Sequence, residues 1–171
     1  DTACMAGPEI RADIVDVYVF RRVGPVAVEF LQMRRAQGAL TGTWHPVMGH
    51  CDGDETAAQT AVRELAEETS YSTARGLMGL WQIESLNSYF LASHNTIVLS
   101  PCFAAQVRPD VEPTLDASHD DYRWVKRDHV YRTFLWPGQR QAISQIMRDI
   151  VPTDSPVAAM LRIDLDGATP A

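Results

Sequence analysis

Gly49-His-Cys-Asp-Gly-Asp-Glu55-Thr-Ala-Ala-Gln-Thr-Ala-Val-Arg63-Glu64-Leu65-Ala66-Glu67-Glu68 is the stretch on which the reading of this 171-residue chain turns. Thr56 and Gln59 form the S/T-x-x-E/Q capping box that satisfies free N–H groups at a helix start. Ala58, Ala61, Val62, Leu65 and Thr69 then recur at three- and four-residue steps, which makes one apolar stripe along a helix. On that helix Glu64 lies three residues before Glu67 and four before Glu68, so the carboxylates share one side. Like charges at this spacing repel by about 0.2–0.5 kcal/mol per pair. They also crowd the C-terminal turns, where the helix dipole disfavours negative charge. Local conflicts of this kind are expected where function overrides stability.

A hard divalent cation resolves the conflict. Clustered carboxylate oxygens with no cysteine or histidine among them suit Mg²⁺, with Mn²⁺ as the alternative. Magnesium keeps several waters and is bound by one or two carboxylates plus substrate phosphates, so a phosphate-bearing substrate is the natural partner.

The same stretch resembles the Nudix box, Gly-x5-Glu-x7-Arg-Glu-aliphatic-x-Glu-Glu-x-Gly-aliphatic, with Gly49, Glu55, Arg63, Glu64, Leu65, Glu67 and Glu68 in register. Its six fixed charged or glycine positions would coincide by chance in about one chain in 10⁵. Around the box (Gly49–Tyr71), Phe30–Arg35, Ser118–Val125 and Trp136–Ile143 look like the subgroup of dATP and dihydroneopterin triphosphate pyrophosphohydrolases. The resemblance covers roughly residues 10–150, and the flanking motifs are much less specific than the box.

What the resemblance implies is an α/β fold, an α/β/α sandwich with a mixed β-sheet between helices. It further implies Mg²⁺-dependent cleavage of a nucleoside triphosphate or pterin triphosphate by water attack on a phosphorus. The alternatives are a dinucleoside polyphosphate or ADP-ribose-type pyrophosphatase, and a nucleotide-sensing module without catalysis. By motif position Glu64 and Glu68 are principal metal ligands and Glu67 an additional one, with Glu64, Glu67 and Arg63 as the catalytic set. Arg63 and Glu55 pair to hold the loop against the helix behind Gly49, and the Met48 carbonyl adds to the metal shell.

Three positions depart from the pattern. Ser70 replaces the box's last glycine, at a helix exit where glycine tolerates the left-handed conformation more cheaply. Tyr71 replaces an aliphatic residue. Ser118 stands where many relatives carry a glutamate that serves the metal site or acts as base, and Asp116, His119 and Asp120 are the candidates to substitute for it.

Ile10–Phe20 and Val26–Arg34 read as a hairpin joined by the Arg21–Pro25 turn, with Val26, Val28, Phe30 and Gln32 on one face. Arg34 and Arg35 alternate across that strand, so only one can face a cleft beside the sheet. Arg34, Arg35 and Trp44 are the candidate substrate-binding residues, weighed against surface arginines and a core tryptophan. His45 and His50 read as loop residues, Cys51 as incidental, and Trp124 and Trp136 as core or interface. Leu77–Glu84, Ser88–Ala92 and Thr96–Val107 read as strands, with Pro101 interrupting or bulging the last because proline cannot donate to a ladder. Tyr122–Val125 reads as a short strand and Pro137–Ile150 as a second helix. The whole reads as one domain over 1–171, with a core of about 10–150 and an unassigned tail of 151–171.

A net charge of −7, from 15 basic and 22 acidic residues, argues against a protein that grips nucleic-acid polymer by phosphate neutralisation. No run approaches the roughly 18 apolar residues of a membrane span, and no secretory signal is visible. Cys4, Cys51 and Cys102 are odd in number and widely spaced, which fits a reducing, cytoplasmic setting rather than a disulfide framework. The expected partner is a small nucleotide-like di- or triphosphate, with no membrane, and a homodimer stays an open option.

Overall fold

Val15, Val17 and Val19 point to one side of strand β2 (Ile14–Arg22), Asp16, Tyr18 and Phe20 point to the other, and all six are buried. A strand buried on both faces requires cover on both sides of its sheet. The structure, a computed structural model, describes residues 7–25, 27–38 and 40–168; Cys4 and Val26 lie outside these residues.

Strand β1 (Glu9–Arg11) precedes β2, and the two are separated at residues 12–13, so Ile10–Phe20 is not one strand. β2 pairs antiparallel with β3 (Val28–Arg35) through Phe20 opposite Phe30, the expected hairpin. The two then diverge, and the gap is filled by β4 (Trp44–His45) on β3 and β5 (Val47–His50) on β2. Pro46 separates these short strands, since it lacks the N–H that would continue either ladder. The helix α1 (Ala57–Thr69) follows, with the predicted capping box in place.

Next come β6 (Leu77–Leu91) and β7 (Thr96–Val107), an antiparallel pair. The two strands expected over 77–92 are therefore one, with a register shift between Ile83 and Leu86 where the partner is Pro101. β7 also runs parallel to both β1 and β2. Strand β8 (His119–Lys126), longer than predicted, covers the outer edge of β3. The chain continues through α2 (Arg127–Thr133) and α3 (Pro137–Gln145), with a π-helical turn, Ile146–Ile150, ending the predicted second helix. The tail holds α4 (Pro156–Leu161), β9 (Arg162–Ile163) on the edge of β6, and α5 (Leu165–Ala168).

The result is a nine-stranded mixed sheet between helices. Ala61 and Leu65 of α1 pack on Val15, Val17, Val19, Leu31, Met33 and Phe103. Val130, Phe134, Ala142, Ile143 and Ile146 cover the other face against Tyr18, Phe20 and Phe30. Trp136 is not core: it is 49% exposed at the start of α3. No helix among the described residues is long and apolar enough to cross a membrane.

Candidate active site

Arg63 is the hub of the loop that precedes α1. Its Nε donates to Glu55 at 2.9 Å and one terminal nitrogen to the other Glu55 oxygen at 3.0 Å, a two-point pairing. That same nitrogen donates to the His50 carbonyl at 2.8 Å, which ties the loop to the end of β5. The hydrogen bonds from Arg63 hold the Glu55 carboxyl down to about 2. The remaining terminal nitrogen donates to Glu64 at 2.8 Å and to Glu67 at 3.0 Å.

Glu64 reaches from α1 under β5, where Gly49 makes room for it. A β-carbon at Gly49 would lie 1.8 Å from the Glu64 carboxyl carbon, so no other residue fits there without moving the acid. Glu68, one turn on, is only 8% exposed, and its carboxylate accepts a long hydrogen bond from the Met48 N–H at 3.4 Å. Burial, and then the charge of Glu64, push the Glu68 carboxyl up to about 8. Glu64 is also raised, by burial first, with Arg63 opposing. Glu67 is turned outward onto Arg63 with its side chain 58% exposed.

The helix exit is settled by neighbours. Ser70 adopts the left-handed conformation at φ 61° that a glycine would occupy more cheaply. Arg75 donates to the Thr69 and Ser70 carbonyls, a cation at the helix end that favours one. Tyr71 is fully buried, with its hydroxyl donating to the Val111 carbonyl at 2.7 Å.

The donor set suits a hard cation. Two desolvated carboxylates are held side by side, and only Glu64 of the pair is bonded to an arginine. No three His, Cys, Asp or Glu side chains stand in metal-holding geometry among the described residues, and Glu67 is turned to Arg63. Two carboxylates are nevertheless the usual protein share of a Mg²⁺ site, the rest being water and phosphate oxygen.

Strand parity sorts the remaining candidates. Arg35 shares the α1 side of β3 with Leu31 and Met33, and its charge acts on both Glu68 and His45. Its Nε is buried without a hydrogen-bond partner. Arg34 faces the opposite side, in an ion pair with Asp120 at 2.7 Å. Trp44, directly across from Arg34, carries the Arg123 guanidinium on its ring at 4.0 Å. The structure therefore gathers Gly49, Glu55, Arg63, Glu64, Glu67, Glu68 and Arg35, and leaves Arg34 and Trp44 on the other face of the sheet.

His45 is not a loop residue. It is buried opposite Met33, its Nδ1 donates to the Pro46 carbonyl at 2.7 Å, and its ring lies 4.9 Å from that of His119. Alternation along Trp44–His50 would have placed it inward.

A family model described as NUDIX domain matches residues 11–146. The chain is 29% identical over 142 residues to an octanoyltransferase of Myxococcus xanthus, covering 82% of this chain but 37% of that protein, so it spans little more than a third of that relative. It is 30% identical over 116 residues to the asymmetrical bis(5′-nucleosyl)-tetraphosphatase of Rattus norvegicus, covering 64% of this chain and 76% of the relative. The solved E. coli dihydroneopterin triphosphate pyrophosphohydrolase superimposes with a TM-score of 0.66 at 19% identity, covering 84% of this chain and 98% of that one. With the box residues assembled as described and the family model spanning most of its length, the chain belongs to the NUDIX domain family.

Proposed function

We propose that this chain is a Mg²⁺-dependent pyrophosphohydrolase whose substrate is a nucleoside triphosphate or a related pterin triphosphate. The observation that carries the reading is the Glu64–Glu68 pair, with Glu64 partly buried against Gly49, Glu68 buried beside Met48, and Arg63 bonded to only the first. Isolated anions are costly at such burial and are stabilised by a paired cation.

Glu64 and Glu68 would hold the ion. When bound, Mg²⁺, or Mn²⁺ in its place, supplies positive charge to phosphate oxygens and makes water more acidic. Arg63 orients Glu64 and keeps Glu67 within reach, while its pairing with Glu55 fixes the loop. Arg35 offers a guanidinium on the same side to offset phosphate charge. A carboxylate of the group accepts the proton of the attacking water as its oxygen bonds to phosphorus and the anhydride P–O bond breaks. A triphosphate would then yield a monophosphate and pyrophosphate.

A dinucleoside polyphosphate substrate is the second reading, favoured by the 30% identity to the rat tetraphosphatase over three quarters of its length. Phosphate and pyrophosphate release with Mg²⁺ across dNTPs, dihydroneopterin triphosphate, diadenosine polyphosphates and ADP-ribose separates the two. Turnover confined to triphosphates supports the first reading. Turnover confined to dinucleoside polyphosphates replaces it with the second.

A further inference from the structure

One face of the β6–β7 pair is apolar and uncovered. Leu86, Ser88 and Phe90 of β6 stand opposite Pro101, Leu99 and Ile97 of β7, and Ile10 of β1 is paired with Ile97. Strand alternation puts all seven on the side that carries Phe103 and Val17, the side on which α1 packs. Helix α1 does not reach them. Ile10 is 66%, Phe90 56% and Leu86 52% exposed, and the half-buried Ile97 and Leu99 join neither core. On the opposite face of the same strands Asn87, Val98 and Ser100 are all buried. Single exposed apolar residues are ordinary, whereas a contiguous apolar patch marks a contact surface.

Charge narrows what can cover it. Residues 85–107 contain no Asp, Glu, Lys or Arg, in a chain that is 22% charged. Exposed strands are usually guarded by charged side chains, and these carry none. The chain as a whole has a net charge of −7, so two copies repel one another through their overall fields. They can come together closely where the surface is uncharged, and this face is such a place. A partner recognised by its charge would find nothing here to read. A second copy instead brings the same apolar residues, which match by symmetry across a twofold axis.

We propose that this face is the contact of a weak homodimer, in which Ile10, Leu86, Phe90, Ile97 and Leu99 of two copies pack face to face. The patch is three strands wide and five residues long, about 15 by 17 Å in plan. That is well short of the roughly 800 Å² per partner of a standard stable complex, so the dimer is transient and depends on concentration. The contact uses neither Glu64 nor Glu68, and its test is independent of the catalytic reading.

The test is sedimentation velocity of the full chain over a range of about 1–500 µM, where weak contacts of this size are populated. The wild type should move from monomer towards dimer as concentration rises. Phe90→Asp and Leu86→Asp should each weaken association at least about 30-fold, the loss at a contact hot spot. Both side chains are more than half exposed, and Ile10→Asp, at the most exposed of the set, decides the matter if either variant fails to fold. Leu135→Ser, at an exposed apolar residue just before α3, should associate like the wild type. A wild type that stays monomeric at the highest concentration overturns the proposal and leaves the face to a different partner. A dimer that Phe90→Asp and Leu86→Asp leave intact overturns it as well.

Discussion

Gly49 and Glu64 occupy one space: the side-chain carboxyl of Glu64 fills the position where a β-carbon on residue 49 would stand, 1.8 Å from its carboxyl carbon. The box glycine is required here by close approach, since its backbone needs no left-handed conformation. Gly49→Ala should displace Glu64 by about an ångström and lower kcat/KM about 100-fold, the scale for misplacing an acting group. Steady-state kinetics and a thermal melt check this. A fully active, equally stable variant would show that Glu64 need not lie under β5.

The two neighbouring arginines should separate cleanly. Arg35→Ala removes the guanidinium on the Glu68 side and should cost about 10–100-fold in kcat/KM, the worth of a charge-assisted contact to phosphate. Arg34→Ala breaks only an exposed ion pair with Asp120 and should stay near wild type. The reverse ranking would put the phosphates on the other face of the sheet.

Ser70 carries backbone strain at φ 61°. Ser70→Gly should stabilise the fold by about 0.5–1 kcal/mol once the greater freedom of glycine in the unfolded chain is counted. For a chain of this size that is a rise of about 2 °C in Tm. Ser70→Ala keeps the strain and should show no gain. Calorimetry on the pair distinguishes relief of strain from loss of the Ser70 hydroxyl.

The fold is legible in the sequence where periodicity is strong. Helix α1 carries both a capping box and a continuous stripe, and its bounds follow from them. Helix α2 leaves no periodic signal in the sequence because it buries one residue, Val130, which makes no stripe. β6 looked like two strands because Ser85 and Asn87 interrupt its apolar residues. It stays one strand because Asn87 turns inward and donates to the buried Asp16 at 2.8 Å. In the site, the box located the acids, and strand alternation allowed only one of Arg34 and Arg35 to face them. Which one does so depends on pairing register, which a single sequence does not display. The contact of His119 Nδ1 with Asp116 at 2.8 Å is a local turn, legible only once the loop is known to dock on α1 through the Thr114 N–H and the Thr69 carbonyl.

His45 makes stability depend on pH. Burial holds its imidazole down to about 4, against an ordinary 6.5. Above pH 6.5 it is neutral in both states and its contribution is complete. As the pH falls towards 4 the unfolded chain takes up a proton and the folded one does not, so stability is lost, by about 2–3 kcal/mol at pH 4.5. Urea unfolding of wild type and His45→Gln at pH 7.5 and 4.5 should show a wild-type decline that is smaller in the variant by that amount. Parallel declines would mean that His45 is solvated.

Every catalytic proposal made above depends on Glu64 and the buried Glu68 together holding the divalent cation with which this chain would hydrolyse a phosphoric anhydride. This is tested most directly by pyrophosphate release from a nucleoside or pterin triphosphate, with and without Mg²⁺, for the wild type and Glu68→Gln. Turnover should require the ion and fall at least about 100-fold in the variant, with its fold intact. Undiminished, Mg²⁺-dependent turnover by Glu68→Gln would contradict it.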